Sequence, residues 1–155
     1  MRKVYLVLAW MVVAEVVIQA GSIALGMGAM SHHMSEGGVV DKASLEDGEL
    51  SWVGEIGFPI HYINGGLVVP VLALVLLVVS FFAHVERGRR AAALVFVLVL
   101  VQGSLGYSIT DSPYVGAIHG ANALAVFGAS LYAARLARVS ASTVVAAKAY
   151  EDARS

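Results

Sequence analysis

The sequence predicts an all-α integral membrane protein, a four-helix bundle built from a parallel two-helix repeat with both termini in the cytoplasm. Three observations predict it: an apolar composition, four membrane-length apolar segments, and a charge pattern that alternates between the connectors. Of 155 residues, 59% are hydrophobic and 14% charged, where a soluble domain averages about half apolar and about a quarter charged. A soluble fold of this length would need a polar coat that the chain lacks. Cys is absent, which excludes disulfides, thiolate metal sites, covalent c-type haem attachment and Cys nucleophiles. Any metal must then be held by His, Met or carboxylate.

The four segments run from about Val4 to Met27, Phe58 to Ala83, Ala91 to Ile109 and Tyr114 to Ala137. Each can cross ~30 Å of hydrocarbon at ~1.5 Å per residue. The first follows Met1, Arg2 and Lys3 but is longer than the core of a secretory signal and carries Glu15 midway, so it reads as a retained span. Pro70 removes a backbone hydrogen bond inside the second and predicts a kink there. Asp111-Ser112-Pro113 marks the start of the fourth, with a capping residue followed by Pro at the first helical position. Residues 1–138 form the membrane domain, with an outer loop over 28–57. Residues 139–155 form a cytoplasmic tail, read as a short helix or a frayed end.

Charge fixes the expected orientation. Met1–Lys3, Glu86–Arg90 and the stretch from Arg135 onward hold nine Lys or Arg against three acids, whereas the long loop and the turn at Asp111 hold seven acids against Lys42 alone. The positive-inside rule then places both termini in the cytoplasm and the acidic loop outside, in a multi-pass protein of the cell membrane. Membrane lipid is the expected surrounding, and no nucleic-acid partner is expected.

Two halves of the chain share a pattern. The second span opens His61-Tyr62-Ile63-Asn64-Gly65-Gly66 and the fourth reads His119-Gly120-Ala121-Asn122. The spans before them carry Gln19-Ala20-Gly21-Ser22 and Gln102-Gly103-Ser104. Two spans per repeat make the halves parallel, so His61 and His119 are expected at similar depth near the outer face. Imidazole inside a membrane helix is a functional signal by default. Small neighbours let a flat ligand approach, and paired imidazoles are a common way to hold haem iron. A haem b with His61 and His119 as axial ligands is therefore expected. The alternative for either His alone is a hydrogen bond to a neighbouring carbonyl or to interfacial water. For the pair it is a structural or transport membrane protein without haem, in which they bond to other helices. Two His without further ligands fall short of a zinc site. Asn64 and Asn122, at i+3 from each His, share its helix face and serve either the porphyrin edge or a neighbouring helix. Gly65, Gly66 and Gly120 are expected at close approaches.

Glu15, Gln19 and Ser22 form a polar stripe on the first span, matched by Gln102 and Ser104 on the third. Glu15 is either a proton relay or a partner in an interhelical hydrogen bond. Met27, Met30, His32, His33 and Met34 are of the type that holds Cu(I). Thioethers also fill apolar gaps, and incidental loop residues are preferred over a copper site here. His84 lies more than ~30 Å along the helix from His61 and is expected among the headgroups.

These motifs resemble the heme A synthase family, which is built from two four-helix halves with Gln-Gly motifs on odd helices and a His near the outer end of even ones. Gln102-Gly103-Ser104-Leu105-Gly106 is similar to its Gln-x-x-Leu-Gly signature, and His61 and His119 fall where its haem ligands would fall. The start of the last helix also resembles that of small four-span bacterial membrane proteins. The resemblance implies a bis-His b haem that handles electrons while a haem O methyl group is oxidised, with Glu55 and Glu15 as candidate catalytic proton groups. It also admits a haem carrier or an electron-transfer subunit of a respiratory complex. The chain lacks the family's outer Cys pair, Glu55 precedes His61 by six residues rather than three, and Tyr62 replaces a basic residue. With one His pair where the full-length family has two, a homo-oligomer is expected to restore a second site.

Overall fold

A computed structural model describes residues 1–43 and 52–152; Glu46, Asp47 and Glu49 of the acidic loop and the last three residues lie outside them. Every regular element among the described residues is helical. In order they are α1 (Arg2–Ser35), α2 (Gly57–Ile63), a π-helical turn (Asn64–Val68), α3 (Val69–Ser80), α4 (Gly88–Tyr107) and α5 (Pro113–Asp152).

Four stretches are long and apolar enough to cross a membrane: Arg2–Ser35, Gly57–Ser80, Gly88–Tyr107 and Pro113–Val139. At most 28% of the most apolar window of any of them is buried within the protein. Val7, Leu74, Val97 and Leu124 are among the many large apolar side chains left exposed. Such a surface would drive association in water, and hydrocarbon is the solvent that suits it. The chain is a multi-pass membrane protein.

Helix ends follow backbone chemistry more closely than hydropathy. α1 continues two turns past the expected Met27, so Met27, Met30, His32, His33 and Met34 are helical residues and do not open a loop. It stops where a glycine can turn left-handed: Gly37 has φ of 90°, its N–H donates to the Met34 carbonyl at 3.1 Å, and Gly38 N–H donates to the His33 carbonyl at 3.0 Å. That pair of bonds is a Schellman cap. At the fourth span, Pro113 is the first helical residue as expected, and Tyr114 N–H donates to Ser112 Oγ at 3.4 Å. The helix then runs to Asp152, so the tail extends the fourth span without a break in the helix.

The irregularity expected at Pro70 takes the form of the π-helical turn just ahead of it, with Pro70 in the first turn of α3. Proline has no N–H to give and its ring crowds the carbonyl four residues back, here that of Gly66, and a widened turn relieves both problems.

Packing divides the chain into two units, residues 1–16 with 69–155 and residues 17–68. In the first unit the start of α1 packs with α3, α4 and α5 around fully buried Tyr5, Val12, Leu76, Val95 and Val126. Ala9, Ala73, Ala92, Ala133 and Ala134 complete the core. Small side chains let helix backbones approach, which is how helices gain packing energy in lipid. Tyr5 donates its hydroxyl to the Gly88 carbonyl at 3.0 Å, where Arg87, with φ of 59°, turns the chain into α4. The Arg138 guanidinium lies 5.0 Å over the Trp10 ring, and Arg89 lies 5.7 Å over Phe81. His84 sits in the turn between α3 and α4, with φ of 52°.

In the second unit α1 and α2 meet backbone to backbone. A Cβ added to Gly57 would run into the Ser22 carbonyl and come within 2.6 Å of Gly26 N. Ser22 and Gly26 form a small-xxx-small pair that accepts this approach. Gly54, with φ of 93°, turns the chain beside Ala29.

Candidate functional site

Each unit carries one Gln, one His and one Asn in contact, drawn from the motifs that the two halves share. In the first unit Gln102 comes from α4, and His119 and Asn122 come from α5. Asn122 Nδ2 donates to the Leu98 carbonyl at 2.9 Å and to Gln102 Oε1 at 2.7 Å. The Gln102 carboxamide nitrogen then faces His119 Nε2 at 3.0 Å. The His119 ring packs against Gly106, where an added Cβ would lie 3.3 Å from Cε1. Gln102 and Gly106 are four residues apart and so share a helix face, which places an amide and a gap opposite the same imidazole. His119 Nδ1 is buried.

In the second unit α1 supplies Gln19, and the α2 end with its π-helical turn supplies His61, Asn64 and Gly65. Only one orientation of the Gln19 carboxamide suits its neighbours. In it the nitrogen donates to the His61 carbonyl at 3.0 Å and faces His61 Nδ1 at 2.8 Å. The oxygen accepts from Gly65 N–H at 2.8 Å and from Asn64 Nδ2 at 3.3 Å. His61 Nδ1 also lies 3.0 Å from the Gln19 backbone carbonyl. Gly65 lets the two helices approach here, since a Cβ would sit 3.1 Å from the end of the Gln19 carboxamide. Buried Ser22 turns its hydroxyl to the same Gln19 carbonyl at 3.1 Å.

The expected site residues thus fall into two sets, Gln19 with His61, Asn64 and Gly65, and Gln102 with His119 and Asn122. Gly120 stands apart from the close approaches, with nothing within 4 Å of the place its Cβ would take. Leu98 is a site residue that the sequence did not single out, because its carbonyl and not its side chain takes part, whereas Gly106 is the glycine of the Gln-x-x-Leu-Gly motif. Glu55 is buried in the turn before α2, where its carboxylate accepts Trp52 N–H at 3.4 Å. Glu15 is half-buried on α1.

At the far end of α1, His33 stacks on Trp52 with ring centroids 5.0 Å apart, and His32 lies 3.6 Å from exposed Glu36. No group of three His, Cys, Asp or Glu among the described residues is placed to hold a metal ion. No family model, curated protein or solved structure matches the chain. Chemical function is therefore argued from the two sets.

The sets offer imidazole, a donor type that can hold haem iron. Neutral imidazole is an axial ligand, and ligating imidazoles are normally backed through their second nitrogen by a carbonyl or amide that fixes ring and tautomer. When His61 Nδ1 donates to the Gln19 carbonyl, the lone pair is on Nε2. At His119 the nitrogen facing Gln102 is Nε2 itself.

Proposed function

We propose that the chain is a haem b-binding membrane protein, built as a parallel two-helix repeat, in which His61 and His119 would each supply an imidazole to hold haem iron. Bound haem would supply one-electron redox chemistry, and the protein would supply ligation, orientation and exclusion of water. The observation that carries this reading is that both halves use a Gln carboxamide to bridge the imidazole and the amide of a His-x-x-Asn helix. A single such contact is ordinary interhelical glue. Recurrence of the same three residue types in both halves supports a repeated ligand-holding device, within a segment where polar groups are costly.

The reading stops at haem ligation and electron transfer or carriage. Haem O oxidation would need proton groups at the ligands, and Glu55, the first candidate, is occupied in closing the turn at Trp52. For orientation, the Tyr5–Gly88 bond and the Arg138–Trp10 contact gather the basic start of α1, the start of α4 and the basic part of α5. That clustering supports termini on the cytoplasmic side of the cell membrane.

The test is the reduced-minus-oxidised spectrum of protein purified from haem-supplied cells. A low-spin, six-coordinate b-type spectrum is expected, reduced to five-coordinate or lost in His61→Ala and in His119→Ala. A flat trace, or six-coordinate haem surviving in the double variant, overturns the proposal.

A further inference from the structure

The hydrogen bonds around His119 fix where its proton sits. The Leu98 carbonyl can only accept, so Asn122 Nδ2 donates to it at 2.9 Å, and its second hydrogen goes to Gln102 Oε1 at 2.7 Å. With its oxygen so held, Gln102 presents its nitrogen to His119 Nε2 at 3.0 Å. An amide nitrogen only donates. His119 Nε2 therefore accepts, and the ring proton is on Nδ1.

We infer that Gln102 is a latch on His119, set by Asn122: it engages the nitrogen lone pair that the ring would offer to a metal, and His119 becomes a ligand only when Gln102 turns away. The inference rests on the haem reading and adds to it a cost of uptake written into the protein's own hydrogen bonds. Asn122 is a positioning residue, acting through the orientation of the Gln102 carboxamide. The ring packs against Gly106, where even a methyl group would lie 3.3 Å from Cε1, and the Gln102 side chain is the partner that turns away. Removing the latch trades one hydrogen bond for an uncontested ligand. One such bond is worth about three- to tenfold in an equilibrium constant.

Two measurements on the full chain in detergent micelles test this. The first is the 15N spectrum of the histidine rings in haem-free protein. His119 is expected with Nδ1 protonated and Nε2 as acceptor, and Gln102→Met is expected to shift the Nε2 resonance toward that of an imidazole without this donor. A His119 protonated at Nε2 overturns the latch. The second is a titration with ferric haem b. Gln102→Met, which preserves side-chain length, is expected to bind about three- to tenfold more tightly than the unaltered chain, and Asn122→Leu is expected to change affinity in the same direction.

Hemin binding of equal or lower affinity in both variants overturns the latch and leaves haem binding standing. Failure of every form to bind hemin overturns the haem reading, and the latch with it. If Gln102→Met does not fold, Asn122→Leu carries the same pair of outcomes.

Discussion

Replacing Gln19 by Met tests whether the second unit is held by its buried amide. Gln19 makes four contacts, to the His61 carbonyl, His61 Nδ1, Gly65 N–H and Asn64 Nδ2. His61 Nδ1 has an alternative partner in the Gln19 backbone carbonyl, and the His61 carbonyl also accepts Asn64 N–H, so the two bonds to Gly65 N–H and Asn64 Nδ2 are lost without a replacement of this kind. Hydrogen bonds between membrane helices average ~0.6 kcal/mol each, with a maximum near ~1.7 kcal/mol, which gives about 1 kcal/mol for the two. Met matches Gln in length, so little of the loss comes from a cavity. The assay is reversible unfolding in mixed detergent, with amide hydrogen exchange at Gly65 as a local readout. Ile18→Ala, on the half-exposed neighbouring surface, serves as the control and is expected to change stability far less. A loss below about 0.5 kcal/mol together with unchanged exchange at Gly65 would refute the reasoning.

Gly57→Ala is expected to destabilise the α1–α2 pairing by more than the ~1–3 kcal/mol of ordinary overpacking, because the new methyl meets the backbone at Ser22 and Gly26; thermal unfolding would show it. Tyr5→Phe is expected to lose about 1 kcal/mol by removing one buried hydrogen bond to Gly88, measured by the same unfolding. Since the chain has no Cys, single-Cys variants report topology directly: Val53→Cys, at a position 96% exposed, is expected to react with an impermeant maleimide added outside intact cells, and Arg89→Cys only after the cells are opened. Equal labelling of both from outside would refute the proposed orientation.

The membrane helices were legible in the sequence because hydrocarbon demands long apolar runs, and no other solvent does. Their ends were less legible. Hydropathy falls at Met27, yet the helix passes Gly28 and persists to Ser35, ending where Gly37 takes the left-handed cap; Gly37-Gly38 was a stronger stop signal than the change in polarity. Pro70 marked the right region, and the irregularity lies in the turn ahead of it, where the missing N–H and the crowded carbonyl are accommodated. His61, Asn64, His119 and Asn122 were visible as a spaced pattern. Their partners were less visible, because the Leu98 carbonyl and the backbone of Gly65 are groups that every residue carries. Only the fold distinguishes them.

The two imidazoles differ in the freedom their partners leave to the ring proton. At His119 the partners permit one proton arrangement, and that arrangement uses the Nε2 lone pair. At His61, Nδ1 lies between an amide nitrogen at 2.8 Å and a carbonyl oxygen at 3.0 Å. One tautomer accepts from the amide and the other donates to the carbonyl. Exchange between them leaves Nδ1 bonded either way and puts the lone pair on Nε2 in the second, so presenting it breaks no net hydrogen bond at that atom. His61 can therefore exchange between two tautomers where His119 is held in one. The 15N spectrum of the histidine rings in the full chain is expected to show His119 protonated at Nδ1 alone and His61 averaged between two forms. A single fixed tautomer at His61, or an averaged one at His119, would show that the argument is wrong.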